Sequence, residues 1–158
     1  MRLLFVCLGN ICRSPTAEAV MTALAARDGR DEILIDSAGT AAWHVGKGPD
    51  RRSVAAAARR GITVAGAARQ VEPADFDRFD LLLAADHDNL AELLRIAPDA
   101  ERAKKAVLLR SFDPAAVAAG DLAVPDPYFG GEDGFDLVLD IVHAACEGLL
   151  TEHPRVPR

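Results

Sequence analysis

The chain is poor in the residues that would define several classes of protein. It has three cysteines in 158 residues, and two of them, Cys7 and Cys12, lie close together, which does not suggest the disulfide framework of a secreted domain. No apolar stretch reaches the ~18 residues of a transmembrane helix, and the apolar run at the N-terminus is too short for a signal peptide. A net charge of −6 argues against non-specific nucleic-acid binding. We therefore expect a cytoplasmic protein that binds neither nucleic acid nor membrane, and we take a monomer as the default state.

Aromatic residues are also scarce. They make up 5% of the chain, with one Trp and one Tyr, so aliphatic side chains must fill the core. Half of the residues are hydrophobic and 27% are charged, which is typical of a globular protein rather than a disordered one. The length suits one domain, and we expect residues 1–158 to form it.

Short apolar segments alternate with longer segments of helical periodicity. We predict strands at 2–7, 33–39, 80–86 and 106–112, and helices from Pro15 to Gly29 and at 50–60, 87–97 and 136–150. Segments 40–50 and 113–134 are predicted loops. Strands separated by helices indicate βαβ units. The sequence therefore predicts an α/β fold, a three-layer sandwich of a four-stranded parallel sheet with helices on both faces.

The segment CLGNICRS lies at the junction of the first predicted strand and helix, where parallel sheets bind ligands. Ser14 as N-cap and Pro15 at the first helical position would start the helix, so that loop N–H groups and the helix dipole converge on a phosphate-like dianion. Arg13 adds a planar fork for two phosphate oxygens. The same field favours the thiolate form of Cys7, a nucleophile for in-line attack at phosphorus.

Other interpretations of this segment have less support. An isolated cysteine at the end of a buried strand is most often inert, and only its spacing from Arg13 favours catalysis here. The ATP-type loop Gly-x4-Gly-Lys-Ser/Thr is absent. A metal site would need two ligands besides Cys7 and Cys12, and neither Cys146 nor the four histidines have suitable spacing, so each histidine is interpreted as a surface or capping residue. We expect no metal and no cofactor.

The segment CLGNICRSPTAEA resembles the active-site loop of the low-molecular-weight protein tyrosine phosphatases. The similarity continues in the family's order through DSAGTAAWHVGKGPD (36–50), ARQ (68–70), LLAADHDNL (82–90), SFDP (111–114) and DPYFGGEDGF (126–135). The resemblance implies a four-stranded parallel sheet with flanking helices and metal-independent hydrolysis of phosphotyrosine. Tyrosine-phosphorylated proteins would be the substrates, and inorganic phosphate or another oxyanion would compete with them.

The resemblance also implies roles for individual residues. Cys7 would be the nucleophile, Arg13 the phosphate clamp, and Asp126 the general acid and base. An acid is also expected on chemical grounds, because the phenolate leaves better when it is protonated. Ser14 would hydrogen-bond the thiolate, and Asn10 would hold the loop in its strained shape. The residues expected to contact substrate are Leu8, Gly9, Asn10, Ile11, Cys12 and Ser14 in the loop, with Trp43 and Tyr128 as walls of the crevice.

Two positions depart from the family pattern. Gly66 stands where many members have a His that supports the loop asparagine, so we expect some loss of loop order or a water molecule in its place. Ser37 and Glu18 match other supports of that asparagine. Phe129 replaces a second tyrosine, which leaves Tyr128 as the candidate for regulatory phosphorylation.

Two assignments have alternatives. Cys12 could form a reversible disulfide with Cys7 or simply pack in the core, and the sequence favours neither. Asp86 and Asp88 directly precede a predicted helix, and we interpret them as helix caps rather than as a metal or phosphotransfer pair.

Three rival functions belong to the same fold or loop. Bacterial phosphoarginine phosphatases usually carry Thr in place of Ile11, and the bulkier Ile11 together with Tyr128 favours a phosphophenol. Arsenate reductases need extra cysteines in mid-chain, and none occurs between Cys12 and Cys146. A non-catalytic anion-binding module would have no use for the Asp126 carboxylate.

Overall fold

The computed structural model describes residues 1–154. Its strands are β1 (Arg2–Cys7), β2 (Leu34–Gly39), β3 (Leu81–Ala84) and β4 (Ala106–Leu108). Its α-helices are α1 (Arg13–Arg27), α2 (Arg51–Ala58), α3 (Asp75–Arg78), α4 (His87–Ile96), α5 (Ala100–Ala103), α6 (Pro114–Ala119) and α7 (Asp133–Glu152), and a 3₁₀-helix spans Leu109–Phe112. Within this range no helix is long and apolar enough to cross a bilayer.

The four strands form one parallel sheet in the order β2-β1-β3-β4, which confirms the predicted architecture. β1 is central, and its Leu3 lies opposite Ile35 of β2 and Leu81 of β3. Parallel neighbours need long crossover connections, and here these contain helices. Because all strands run in one direction, the loops that follow β1, β2 and β3 leave from the same edge of the sheet.

Side chains of β1 alternate between two cores, one on each face of the sheet. Phe5 and Cys7 pack in the core that α1 and α7 cover. Leu4 and Val6 pack in the other core, against Phe76 of α3. Burial on both faces explains why this strand is a continuous apolar run rather than an alternating one.

The last helix, α7, covers much of one face. Its buried side chains recur at three- and four-residue spacings, as expected for an amphipathic helix: Phe135, Val138, Leu139, Val142, Ala145, Cys146, Leu149 and Leu150. They pack against α1 and the 3₁₀-helix, so the C-terminal part of the chain is fixed to its N-terminal helix.

The structure corrects two predictions between residues 106 and 134. β4 ends at Leu108, and the rest of the predicted strand 106–112 is the 3₁₀-helix. The predicted loop 113–134 contains α6, because the side chain of Asp113 accepts a hydrogen bond from Ala115 N at 3.0 Å and Pro114 occupies the first turn. The pair Asp113-Pro114 therefore starts α6.

Other boundaries differ less. α7 begins at Asp133 rather than at 136, and the strands predicted at 33–39 and 80–86 are shorter than expected. The four-residue helices α3 and α5 were not predicted, because so short a segment shows no helical periodicity.

Gly148 allows α7 to approach the 3₁₀-helix closely. A Cβ at this position would lie 1.7 Å from the carbonyl oxygen of Phe112. Replacing a helical glycine by alanine normally stabilises a helix by up to ~1 kcal/mol. Here the clash dominates, and we expect Gly148→Ala to lower the free energy of unfolding by about 1–3 kcal/mol in urea titrations.

Gly134→Ala in the same helix is the matched control, since its Cβ would meet the nearest atom, in Pro127, at an ordinary 3.4 Å. Equal unfolding free energies for the two variants would contradict the prediction.

Candidate active site

The loop formed by residues 8–12 joins β1 to α1 and is fixed against the end of β2. The N–H of Thr40 donates to the carbonyl of Cys7 at 2.8 Å. Gly39 permits this approach, because a Cβ there would lie 2.7 Å from the carbonyl oxygen of Leu8. The loop position is therefore set by the sheet.

Asn10 holds the loop in shape. Its φ of 56° is left-handed, a conformation that Asn tolerates better than most residues. Its side-chain amide donates to the hydroxyls of Ser14 at 2.8 Å and Ser37 at 3.0 Å, and its carbonyl accepts from the backbone N–H of Arg69 at 3.0 Å. Ser37 in turn donates to Glu18 at 2.5 Å. The two supports expected from the sequence, Ser37 and Glu18, are thus both in place.

Ser14 lies within the first turn of α1 rather than at the N-cap, which corrects the sequence prediction. The helix begins at Arg13, and Cys12 occupies the N-cap position without a side-chain hydrogen bond. The Ser14 hydroxyl lies 3.0 Å from the Cys7 sulfur. Because it accepts a hydrogen bond from Asn10, its own hydrogen can go to the sulfur or to the carbonyl oxygen of Ala38, 3.3 Å away. The hydroxyl therefore faces Cys7 and the end of β2 and does not cap the helix.

Cys7 is almost completely buried, with 3% of its surface exposed, at the end of the central strand. Besides Ser14, the backbone N–H of Asn10 points to its sulfur at 3.3 Å. Both groups can donate to a thiolate, and hydrogen bonds to the charged form stabilise it.

Arg13 is equally buried and is clamped from one side. Its Nη1 donates to Asp86 at 2.6 Å and to the carbonyl of Val124 at 3.0 Å, whereas Nη2 lies 3.7 Å from Asp126. Asp86 also caps α4, as the sequence predicted, by accepting from the N–H of Asn89 at 2.8 Å. Its second contact, with Arg13, was not predicted from the sequence. Its position directly after β3, beside the end of β1, could have indicated it.

Asp126 lies in the segment before α7, with its carboxylate about two-fifths exposed. One carboxylate oxygen accepts from the backbone N–H of Tyr128 at 3.1 Å. The other faces the Arg13 guanidinium. The carboxylate is therefore oriented toward the phosphate clamp while remaining accessible to water.

These groups surround one crevice of about 170 Å³. It is lined by Cys7, Leu8, Gly9, Ile11, Cys12, Arg13, Trp43, His44, Asp126, Tyr128 and Phe129. Trp43 and Tyr128 thus lie at the crevice, at 71% and 38% exposure. His44 and Phe129 also line the crevice. From the sequence, His44 was interpreted as a surface or capping residue. That these two residues follow Trp43 and Tyr128 directly in the sequence is the signal that could have placed them at the crevice.

The side chains of Asn10 and Ser14 face away from the crevice into the network behind the loop. They are 4% and 2% exposed, and neither residue lines the crevice.

Cys12 is 5% exposed and packs in the core beside α2. Burial, with the nearby Asp50 carboxylate, raises the pKa of its thiol to about 12. At neutral pH it is therefore a protonated thiol, which attacks sulfur much more slowly than a thiolate does. This favours packing over a rapid exchange with Cys7.

Gly66 borders a second cavity, of about 80 Å³, behind the loop. Asn10, Glu18 and Ser37 also line it. The side chain of Asn10 has its hydrogen-bond partners without a histidine at position 66, and the loss of loop order stays a prediction. The cavity is polar and large enough for ordered water, so water beside Glu18 stays a prediction. Burial raises the pKa of that carboxyl.

No group of three or more His, Cys, Asp or Glu side chains within residues 1–154 could hold a metal ion.

A parallel α/β sheet with a cysteine-to-arginine loop at the end of its central strand defines a protein built to bind and transfer an oxyanion. The family model described as low molecular weight phosphotyrosine protein phosphatase matches residues 2–155. The chain belongs to this family.

Relatives and solved structures agree over nearly the whole chain. A low molecular weight protein-tyrosine-phosphatase of Streptomyces coelicolor is 51% identical over 150 residues, which cover 94% of this chain and 91% of the relative. A protein tyrosine phosphatase from Entamoeba histolytica, with Hepes in its active site, superposes with a TM-score of 0.91 at 42% identity, covering 97% and 96% of the two chains. A drosophila arginine phosphatase gives 0.90 at 32% identity, covering 98% and 99%. Since both activities occur on this fold, the substrate must be argued from the crevice.

Asp86 offers a test of how Arg13 is positioned. Asp86→Asn keeps a good helix cap but removes the charge that holds Nη1. We expect kcat/KM for an aryl phosphate to fall about tenfold to a hundredfold, because the variant loses a hydrogen bond between charged groups. Thermal unfolding should change little, since Asn is also a good helix cap. Steady-state kinetics and calorimetry measure both effects.

The control is Asp88→Asn, an exposed carboxylate two residues further along the chain, and this variant should retain activity. Equal activities for the two variants would show that Asp86 is only a cap.

Proposed function

We propose that this protein hydrolyses phosphotyrosine in proteins through a phosphocysteine intermediate on Cys7. The observation that carries the proposal is the arrangement of the Cys7 sulfur, the Arg13 guanidinium and the Asp126 carboxylate around one largely apolar crevice. Aromatic and aliphatic walls suit a phenyl ring, and the groups at its base suit the phosphate attached to that ring.

The phosphate dianion binds in the loop 8–12, at the N-terminal end of α1, where backbone N–H groups and the helix dipole favour an anion. Arg13 presents the edge of its guanidinium opposite Nη1 to two phosphate oxygens, since Asp86 and Val124 engage Nη1. Inorganic phosphate or another oxyanion competes for the same place. The relative with Hepes, a sulfonate, in its active site supports this competition.

In the first step the Cys7 thiolate attacks phosphorus. A sulfur–phosphorus bond forms while the bond from phosphorus to the tyrosyl oxygen breaks. Protonated Asp126 gives its proton to that oxygen, so tyrosine leaves as a neutral phenol. Ser14, 3.0 Å from the sulfur, stabilises the thiolate by hydrogen bonding.

In the second step water attacks the phosphorus of phosphocysteine. The ionised Asp126 accepts a proton from this water, the sulfur–phosphorus bond breaks, and Cys7 leaves as a thiolate that Ser14 again stabilises. Phosphate is released and Asp126 is protonated once more. Atoms and protons balance over the cycle with water as the sole co-substrate.

Phosphoarginine is the second candidate substrate, because an arginine phosphatase shares this fold. A guanidino group has several N–H donors that need acceptors when buried. Ile11, Trp43 and Tyr128 offer mostly apolar surface in the crevice, and Asp126 is its one carboxylate. This composition supports phosphotyrosine.

We further propose that residues 1–158 act as one catalytic domain and as a cytoplasmic monomer. Large exposed apolar side chains away from the crevice, such as Leu34, Leu94, Val117 and Leu137, lie on separate elements, which supports the monomer. The low cysteine count supports the location.

The substrate class is tested with phosphotyrosine, phosphoarginine and phosphoserine peptides hydrolysed side by side in EDTA. We expect the phosphotyrosine peptide to have the highest kcat/KM, since only its ring fills the crevice. A preference for phosphoarginine would overturn the substrate assignment while leaving the loop chemistry intact. No turnover of any peptide would favour the non-catalytic anion-binding module.

The mechanism is tested with two variants. Cys7→Ser should abolish turnover, but calorimetry should still detect phosphate binding by this variant, because the loop and Arg13 remain. Asp126→Asn should lower kcat on phosphotyrosine about 10²–10⁴-fold, and less on p-nitrophenyl phosphate, whose leaving group needs no proton.

Asp133→Asn, an exposed carboxylate at the start of α7, serves as the control. Normal turnover by the Cys7 variant would rule out the covalent intermediate.

A further inference from the structure

A second groove, of about 130 Å³, lies between α2 and the start of α7. Three arginines face it, together with one acidic and two apolar residues: Arg51, Arg52, Arg59, Glu132, Ala55 and Phe135. Nothing in the catalytic cycle uses this groove.

The groove adjoins the crevice through a shared wall. The Arg52 guanidinium carbon lies 4.6 Å from the ring centre of Phe135, which lines the groove, and 5.5 Å from that of Tyr128, which lines the crevice. Stacking on two rings holds this guanidinium in place. A peptide leaving the crevice over Tyr128 therefore meets the groove next.

Two of the three arginines of the groove are paired with carboxylates, and one is not. Arg52 pairs with Asp50 at 2.9 Å, and Arg59 with Asp136 at 3.2 Å. Arg51 is exposed and makes no ion pair within residues 1–154. Arg51, beside the lining Glu132, is therefore the guanidinium of the groove that is left to pair with a carboxylate from outside.

We propose that this groove binds an acidic side chain of the substrate, one or two residues away from the phosphotyrosine. The inference rests on the proposed function. An extended chain advances about 3.3–3.6 Å per residue, so a residue at that separation reaches past the Tyr128 ring. Arginine forks match the geometry of carboxylates, and Arg51 has its fork free for one. The groove is therefore a specificity subsite for an acidic flank.

The experiment compares phosphotyrosine peptides that differ only by Glu or Gln at the two positions on either side of the phosphotyrosine. We expect the Glu peptide with the correctly placed flank to have a kcat/KM about threefold to fivefold higher, as for an exposed ion pair, and the ratio to shrink when salt is raised. Arg51→Gln should reduce the ratio to near one while hydrolysis of p-nitrophenyl phosphate stays unchanged, since that substrate has no flank.

Arg95→Gln removes the same charge from the far end of α4 and is the matched control, expected to keep the Glu preference. Equal kcat/KM for Glu and Gln peptides in the unmodified enzyme would overturn the inference. So would a Glu preference that survives in both Arg51→Gln and Arg59→Gln. Either result leaves phosphotyrosine hydrolysis standing, whereas failure to hydrolyse any of the peptides would overturn the proposed function itself.

Discussion

The hydrogen bonds around the left-handed Asn10 are the constraint on which the rest of the site depends. A left-handed conformation costs a residue with a side chain about 1–2 kcal/mol. The three bonds of the Asn10 side chain, at roughly 1 kcal/mol each, offset that cost. They also join the loop to β2 through Ser37, and to the segment between α2 and α3 through Arg69. The position of the Cys7 sulfur is thereby set by the sheet.

The charges around Arg13 divide its guanidinium into a structural side and a reactive side. Asp86 and Val124 hold Nη1, and Asp126 stands 3.7 Å from Nη2. A phosphate that binds on the reactive side competes with Asp126 for the guanidinium and leaves Asp86 in place. Removing two charges from water is costly, so the Arg13–Asp86 pair is better understood as orienting the clamp than as stabilising the fold.

Much of the fold could be predicted from local patterns. The continuous apolar run of β1 and the periodicity of α1 and α7 appear in any short window of the sequence, and they give the layers of the structure. The 3₁₀-helix after Leu108 could not be predicted in this way, because its conformation depends on packing against α7. The contact between Phe112 and Gly148 joins parts of the chain that are distant in sequence. Tertiary contacts decide such segments.

The site shows the same division. Cys7, Arg13 and the Asn10 supports lie within or beside recognisable motifs, and the structure brings them together. Asp86 has two functions, and its capping position concealed the contact with Arg13. His44 and the groove around Arg51 depend on how a loop and two helices meet, which no single segment of sequence reveals.

The two catalytic groups of this site belong to parts of the molecule with different local stability. Cys7 ends β1 and is paired with Gly39 of β2, and β3 is paired with the same strand as far as Val6, so opening the backbone here requires strands of the sheet to separate. Asp126 lies in a segment without regular secondary structure, attached to the body by the hydrogen bond from Val124 N–H to Ala85 and by Arg13 and Arg110, which donate to the carbonyls of Val124 and Ala123. Amide hydrogens around the nucleophile should therefore exchange on the timescale of global unfolding, and those around the acid much sooner. An enzyme divided in this way can lose its proton donor through a local fluctuation while its phosphate-binding loop stays intact.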